Sequence, residues 1–243
     1  MCTASWLRRD GALHLLFNRD EERGRESASP PVLQRSGLTR FLAPRDGRAD
    51  GTWLAATERG LVLALLNASA GRRPARPASR GGLIPRLAPA AAIEEIAARL
   101  AREPLADLPP FRLAAFAGAG GAARLAAWDG DSLAWSELDP DTGLLCSSAL
   151  GDERATRERG ALWERSRAGA RPWDLERQRA FHRSHDPAPS AWSVCMHRAD
   201  ARTVSYAEVE IDAAEAVLRY HGGPPCSLAP ALDLRLALVP AAS

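Results

Sequence analysis

A chain of 243 residues, 46% hydrophobic and 26% charged, has the length and composition of one globular domain, and we read residues 1–243 as a single unit. Its formal charge is only +2, which excludes the broad basic field of a nucleic-acid or anionic-membrane binder. All 32 basic residues are arginine, a bias that lowers the information carried by any one of them.

The first residues, "MCTASWLRRDG", meet two arginines and an aspartate too early for a signal peptide. No later apolar run has membrane-spanning length, so no membrane span is expected. Cys2, Cys146, Cys195 and Cys226 form no CxxC pair, the usage of a reducing compartment, and a cytoplasmic location is expected.

In chain order, residues 2–7 and 12–18 read as strands around an Asp10-Gly11 turn, a strong hairpin signal. A two-residue loop there sets Trp6 opposite Leu15, Ala4 opposite Phe17 and Cys2 opposite Arg19. The stretch from Glu22 to Gly51 is polar, arginine-rich and broken by Pro30, Pro31 and Pro44, and is expected to be a long loop. A second hairpin follows, "TWLAAT" and "LVLALLN" around Glu58-Arg59-Gly60, ending on Asn67. After an exposed loop, a helix is expected over about residues 90–102, where Ile93, Ile96, Ala97 and Leu100 share a face and Pro104 ends it.

Three short apolar runs at 111–117, 122–128 and 132–138 read as strands split by "GAGG" and "DGD" turns. Residues 152–184 are charged, with Leu162, Trp163, Trp173, Leu175 and Phe181 spaced as on one or two surface helices. The tail returns to strands at "WSVCMH", "TVSYAEVEI", "AVLRYH" and "LDLRLAL". Two antiparallel sheets packed on each other, with helices outside, use that order.

Cys2 carries the chemistry. A small residue at position 2 permits removal of Met1, after which Cys2 holds both a thiol and a free α-amine. An α-amine with a reference pKa of roughly 8 can accept the thiol proton near neutral pH, so one residue supplies nucleophile and base. Arg19 beside it favours the thiolate, and Asp20 can orient the ammonium.

The motifs "MCT", "NRDEERGRE", "GTWLAATERGLVLALLN" and "SRGGLI", in that order, resemble the NRDE family, which includes transport-and-Golgi-organisation protein 2. The segment "SVCMHRADARTVSYAEVEI" resembles that family's closing hairpin. The opening is also similar to bile-salt hydrolases and penicillin V acylases, N-terminal-nucleophile hydrolases that begin Met-Cys-Thr. That resemblance implies an α+β fold, a four-layer αββα sandwich of two antiparallel sheets. It implies a thiol-nucleophile amidase acting on a small-molecule amide, with Cys2, Arg19, Asp20 and Asn67 as catalytic residues and Asn67 holding the oxyanion. Asn18, Ser147 and Arg183 are carried over as substrate-binding residues. In the hydrolases a second asparagine stands in a Thr-Asn-Ser segment and in NRDE relatives in a Ser-Asn pair, where this chain has Cys146-Ser147-Ser148. No cofactor is implied for hydrolysis. The alternative is a non-catalytic carrier of a hydrophobic ligand, since NRDE relatives are linked to heme trafficking and lipid metabolism, with Cys2 or His14 touching heme iron.

Other signals are weaker. His182, His185, Cys195 and His197 carry His-x-x-His and Cys-x-His spacings, but these fit no zinc module; they read as a helix end and a strand on which Cys195 and His197 share a face, and no metal is expected. "GAGGAA" at 118–123 lacks the acidic partner of a dinucleotide fingerprint and reads as a turn. Trp6 and Trp53 are expected between the sheets. The arginines at 72, 73, 76 and 80 read as a solvated loop.

Overall fold

The computed structural model describes residues 2–118, 121–168, 171–227 and 230–239. Met1, on whose removal the chemistry of Cys2 depends, lies outside the described residues. Part of the "GAGG" turn lies outside them too.

The first hairpin joins β1 (Cys2–Arg9) to β2 (Ala12–Glu22). Asp10 and Gly11 take φ of 51° and 79°, the positive pair a twisted two-residue turn demands. Its register is the expected one: Cys2 faces Arg19, Ala4 faces Phe17 and Trp6 faces Leu15. The next stretch departs from expectation. Where a long loop was expected, the chain forms β3 (Ser29–Ser36) and β4 (Thr39–Arg45). Pro30 and Pro31 are accommodated because β3 is a sheet edge with a register shift between Ser29 and Val32, where missing N–H donors cost no ladder bond, and Pro44 falls on β4 at that same shift, outside the paired positions.

The second hairpin is β5 (Leu54–Thr57) and β6 (Leu61–Asn67), with Leu54 facing Ala64. Two helices follow. A short α1 (Leu83–Leu87) was not anticipated; α2 (Ile93–Leu100) buries Ile93, Ile96 and Leu100 as its periodicity dictates. The three apolar runs become β7 (Phe111–Ala117), β8 (Ala123–Trp128) and β9 (Leu133–Glu137). A further strand, β10 (Thr142–Ser147), lies along β1 and sets Ser147 opposite Cys2. The charged region holds α3 (Asp152–Arg167) and α4 (Leu175–Arg183), and the tail holds β11 (Ala201–Ile211), β12 (Glu215–His221) and β13 (Ala231–Ala237). "WSVCMH" is not a strand: residues 191–196 have no ladder partner, and His197 makes only an isolated bridge to Arg202.

One antiparallel sheet runs β10-β1-β2-β11-β12-β13 and the other β3-β4-β5-β6-β7-β8-β9. Their facing surfaces bury Trp6, Leu13, Leu15, Phe17, Trp53 and Phe116, so both tryptophans pack where expected. The outer face of the seven-stranded sheet is covered by α1 and α2, and α3 and α4 pack against the six-stranded sheet. The layers are therefore αββα. No helix of the described residues is long and apolar enough to cross a membrane.

Candidate active site

Strand alternation divides the Asn18-Arg19-Asp20-Glu21 tip of β2 between two environments. Arg19 and Glu21 point with Cys2 into a cleft of about 510 Å3, whose wall also carries Asp46, Asn67 and Arg80. The carboxylate of Asp20 turns beneath the sheet: Thr203 Oγ1 donates to Asp20 Oδ1 at 2.6 Å, and Arg159 pairs with Oδ2 at 3.2 Å. Both members of that ion pair are fully buried. Arg159 also donates to Thr3 Oγ1 at 2.5 Å and to the Cys2 carbonyl at 3.4 Å, so it fixes the backbone that carries the thiol.

Cys2 is 7% exposed. Burial pushes its thiol above the ordinary range and the Asp20 charge adds to this, while Arg19 and a hydrogen bond from the Asp20 backbone N–H act in the opposite direction. The thiol is therefore protonated at neutral pH and needs a base to become a nucleophile. The nitrogen of the same residue is held in place: the Cys2 N–H donates to Ser147 Oγ at 3.0 Å. Ser147 is thus placed on the Cys2 nitrogen and is absent from the cleft wall.

Arg19 is held from three sides. Its guanidinium lies 4.4 Å over the Trp53 ring, 2.6 Å from Asp46 Oδ2 and 3.2 Å from Glu21 Oε2. Asp46 also accepts from Arg25 at 2.8 Å and from the Ala49 N–H at 2.9 Å. Burial works to raise its carboxyl, but these hydrogen bonds and the charges of Arg19 and Arg25 outweigh it and hold Asp46 below the usual carboxylate range. Arg80, read from sequence as a solvated loop residue, borders the cleft. Burial, with the neighbouring Arg73, lowers it to about 10, and it stays cationic at neutral pH.

Asn67 ends β6 on the cleft. Its position relative to Ser147 is set by Asp152 at the start of α3, which accepts from the Ser69 and Ser148 N–H groups at 2.8 and 2.7 Å. Cys2, Arg19 and Asn67 thus converge on the cleft, which Asp20 borders with its carboxylate paired elsewhere. Asn18 and Arg183 do not converge there. Asn18 Nδ2 donates to the His182 and Val194 carbonyls, each at 2.9 Å, and Arg183 is exposed at the end of α4. His14 lies on the opposite face of β2 from Arg19, so Cys2 and His14 do not share a ligand site.

Sequence reasoning missed Arg159, Asp152 and Arg80. The signal for Arg159 was its spacing: Ala155, Arg159 and Trp163 follow one another at four-residue steps on the buried face of α3, where a charge requires a partner.

The family model described as Transport and Golgi organisation 2 matches residues 1–171. No curated protein is significantly similar to the chain in sequence. Among solved structures, the chain is similar to a variant of conjugated bile acid hydrolase from Clostridium perfringens, with TM-score 0.58 and 14% identity over 97% of this chain and 96% of that one. It is similar to penicillin V acylase from Agrobacterium tumefaciens, with TM-score 0.52 and 12% identity over 95% and 84%. It is also similar to a Caenorhabditis elegans orthologue of N-acylethanolamine-hydrolyzing acid amidase, with TM-score 0.51 and 12% identity over 85% and 92%. At these identities the likeness is one of fold, the N-terminal-nucleophile-hydrolase sandwich.

Proposed function

The chain belongs to the Transport and Golgi organisation 2 family and is built like the amide hydrolases just described, and on that basis we propose that it is a cysteine amidohydrolase acting on a small amide after loss of Met1. The observation that carries this reading is the position of Cys2: the first strand residue, on the wall of a cleft, with Ser147 Oγ 3.0 Å from its nitrogen.

With Met1 removed, that nitrogen is an amine of reference pKa roughly 8. It takes the thiol proton, and the sulfur attacks the substrate carbonyl. Asn67 donates to the oxygen that gains charge, and Arg19, braced by Trp53 and Asp46, sets a fixed positive potential beside the sulfur. The ammonium returns its proton to the leaving amine. Water, deprotonated by the same amine, then attacks the thioester, releasing the acid and restoring the thiol. Ser147 aims the amine's lone pair, while Arg159 and Asp20 keep the first strand residue in place as positioning residues. Arg80, which donates to the Pro110 carbonyl and has no ion-pair partner among the described residues, adds positive charge to the wall, which favours amides bearing an anionic group.

The carrier alternative is supported less well, because the wall around Cys2 is charged where a hydrophobic ligand needs apolar surface. The test is turnover of a panel of N-acyl amides, with and without a carboxylate, by the wild type and by Cys2→Ala. The proposal expects hydrolysis that Cys2→Ala abolishes. Equal turnover by that variant contradicts it, as does ligand binding without hydrolysis across the panel.

A further inference from the structure

The segment between α4 and β11 has little regular structure, yet it places three soft donors together, and the turn after β12 adds a fourth. One ring nitrogen of His185, Cys195 Sγ, one ring nitrogen of His197 and Cys226 Sγ all lie within 4.8 Å of one another. His197 Nε2 is 3.5 Å from Cys195 Sγ and 3.5 Å from Cys226 Sγ. The His185 and His197 rings meet edge to face, with centroids 4.9 Å apart. These residues lie outside the lining of the Cys2 cleft, and the proposed hydrolysis uses none of them.

We propose that His185, Cys195, His197 and Cys226 bind one zinc ion in a structural Cys2His2 site. Geometry carries this. Zinc bonds of about 2.3 Å to sulfur and 2.0–2.1 Å to nitrogen, spread tetrahedrally, put sulfur and nitrogen ligands about 3.6 Å apart. Both sulfur-to-nitrogen distances of 3.5 Å match that edge. Each thiol is next to the same imidazole nitrogen, which is the arrangement for one metal; a Rieske iron–sulfur centre puts its histidines and cysteines on different irons.

A second observation points the same way. His185 Nε2 is buried and has no hydrogen-bond partner among the described residues. A buried ring nitrogen in that state carries a desolvation penalty, which a partner on that nitrogen removes. The charges also balance. Zinc displaces one proton from each of two thiols, and two neutral imidazoles complete the shell, so the filled site is neutral beside the buried Cys195. With four protein ligands and no open position, the ion supplies structure and no catalysis.

The place in the fold gives the site its purpose. Cys195 and His197 bracket Met196, whose N–H donates to Thr203 Oγ1 at 2.8 Å, and the Thr203 hydroxyl donates to Asp20. The same segment supplies the Val194 carbonyl to Asn18 and the Trp192 carbonyl to Arg159. A zinc ion thus fastens an irregular segment that supports the underside of β2, where hairpin ladders give no support.

The test uses the full chain produced with zinc in the medium. Elemental analysis is expected to find one zinc per chain, and titration of zinc into chelator-treated protein to release two protons per ion. Cobalt in its place is expected to give the strong visible bands of a tetrahedral site with thiolate charge transfer. Cys226→Ser, at an exposed position expected to leave folding intact, is expected to lose the metal and the thiolate band; Cys195→Ser is the second variant. A disulfide between Cys195 and Cys226 in the purified protein overturns the proposal, as do two free thiols that take up no metal or zinc retained by Cys226→Ser. None of these readouts depends on amide turnover.

Discussion

The two faces of the β1–β2 hairpin are both buried, yet they are made differently. The inner face is apolar from Trp6 to Phe17, carries Arg8 near the turn, where it donates to the Ala117 carbonyl, and is polar again at its open end, where Cys2 and Arg19 meet the cleft. The outer face carries Thr3, Ser5, Asn18 and Asp20, all essentially unexposed and all hydrogen-bonded to side chains or carbonyls of the helical layer and the 190–203 segment. The contrast shows how a four-residue polar motif divides its work. Residues at one parity face the cleft, and residues at the other hold the strand that presents them. Unpaired polar groups on the outer face cost stability, whereas unpaired groups on the inner end are available to a ligand.

The comparison is broken most sharply by substitutions on either side of the hairpin. Cys2→Ala on the inner face is expected to abolish turnover while leaving the urea midpoint nearly unchanged. Asn67→Ala, which removes one donor from the cleft, is expected to lower kcat about 10²–10³-fold, again with little effect on unfolding. Arg159→Leu on the outer side leaves the Asp20 carboxylate buried without its cation. A loss of about 3–5 kcal/mol in unfolding free energy is expected, readable by urea denaturation.

A pH measurement sharpens the same contrast. Asn18 Nδ2 is committed to two carbonyls, so Asn18 Oδ1 accepts from His182 Nδ1–H at 2.9 Å, and Ser5 donates to His182 Nε2 at 2.7 Å. Burial, with the charge of Arg159, lowers the folded-state pKa of His182 from 6.5 to about 3. The unfolded chain binds this proton more readily, so the contribution of a neutral His182 is complete above pH 6.5 and is lost as pH falls toward 3. The expected slope is about 1.4 kcal/mol per pH unit in that window, and His182→Gln is expected to remove it. The smallest effect is expected at the rim: Arg80→Gln raises KM for carboxylate-bearing amides several-fold and leaves neutral amides unchanged.

Local signals made much of this legible in the sequence. Asp10-Gly11 fixed the register that puts Cys2 opposite Arg19, and hairpin turns with alternating apolar residues gave β5 to β9. The β3–β4 hairpin was hidden because Pro30 and Pro31 read as breakers, which an edge strand tolerates. β10 was hidden because four of its six residues are only half-buried, leaving no alternation to read. Asn18 looked like a cleft residue because the motif is written in one dimension; the pleat sends its side chain, and the carboxylate of Asp20, to the other side, while Asp20 itself still borders the cleft. Arg159 was obscured by a proteome-like excess of arginine. Three members of the histidine–cysteine cluster were visible as spacings, but Cys226 lies 29 residues beyond His197 and only the β11–β12 hairpin brings it back. His182, which shares the His-x-x-His spacing, goes instead to Ser5 and Asn18.

The central claim is that the nitrogen of Cys2 serves as the base for its own sulfur. Intact-mass and peptide mass spectrometry of protein quenched during turnover of an activated acyl ester tests it most directly. The account predicts a chain beginning at Cys2, with a single acyl group on that residue's sulfur. A retained Met1 in active protein, or an acyl group on any other side chain, contradicts it.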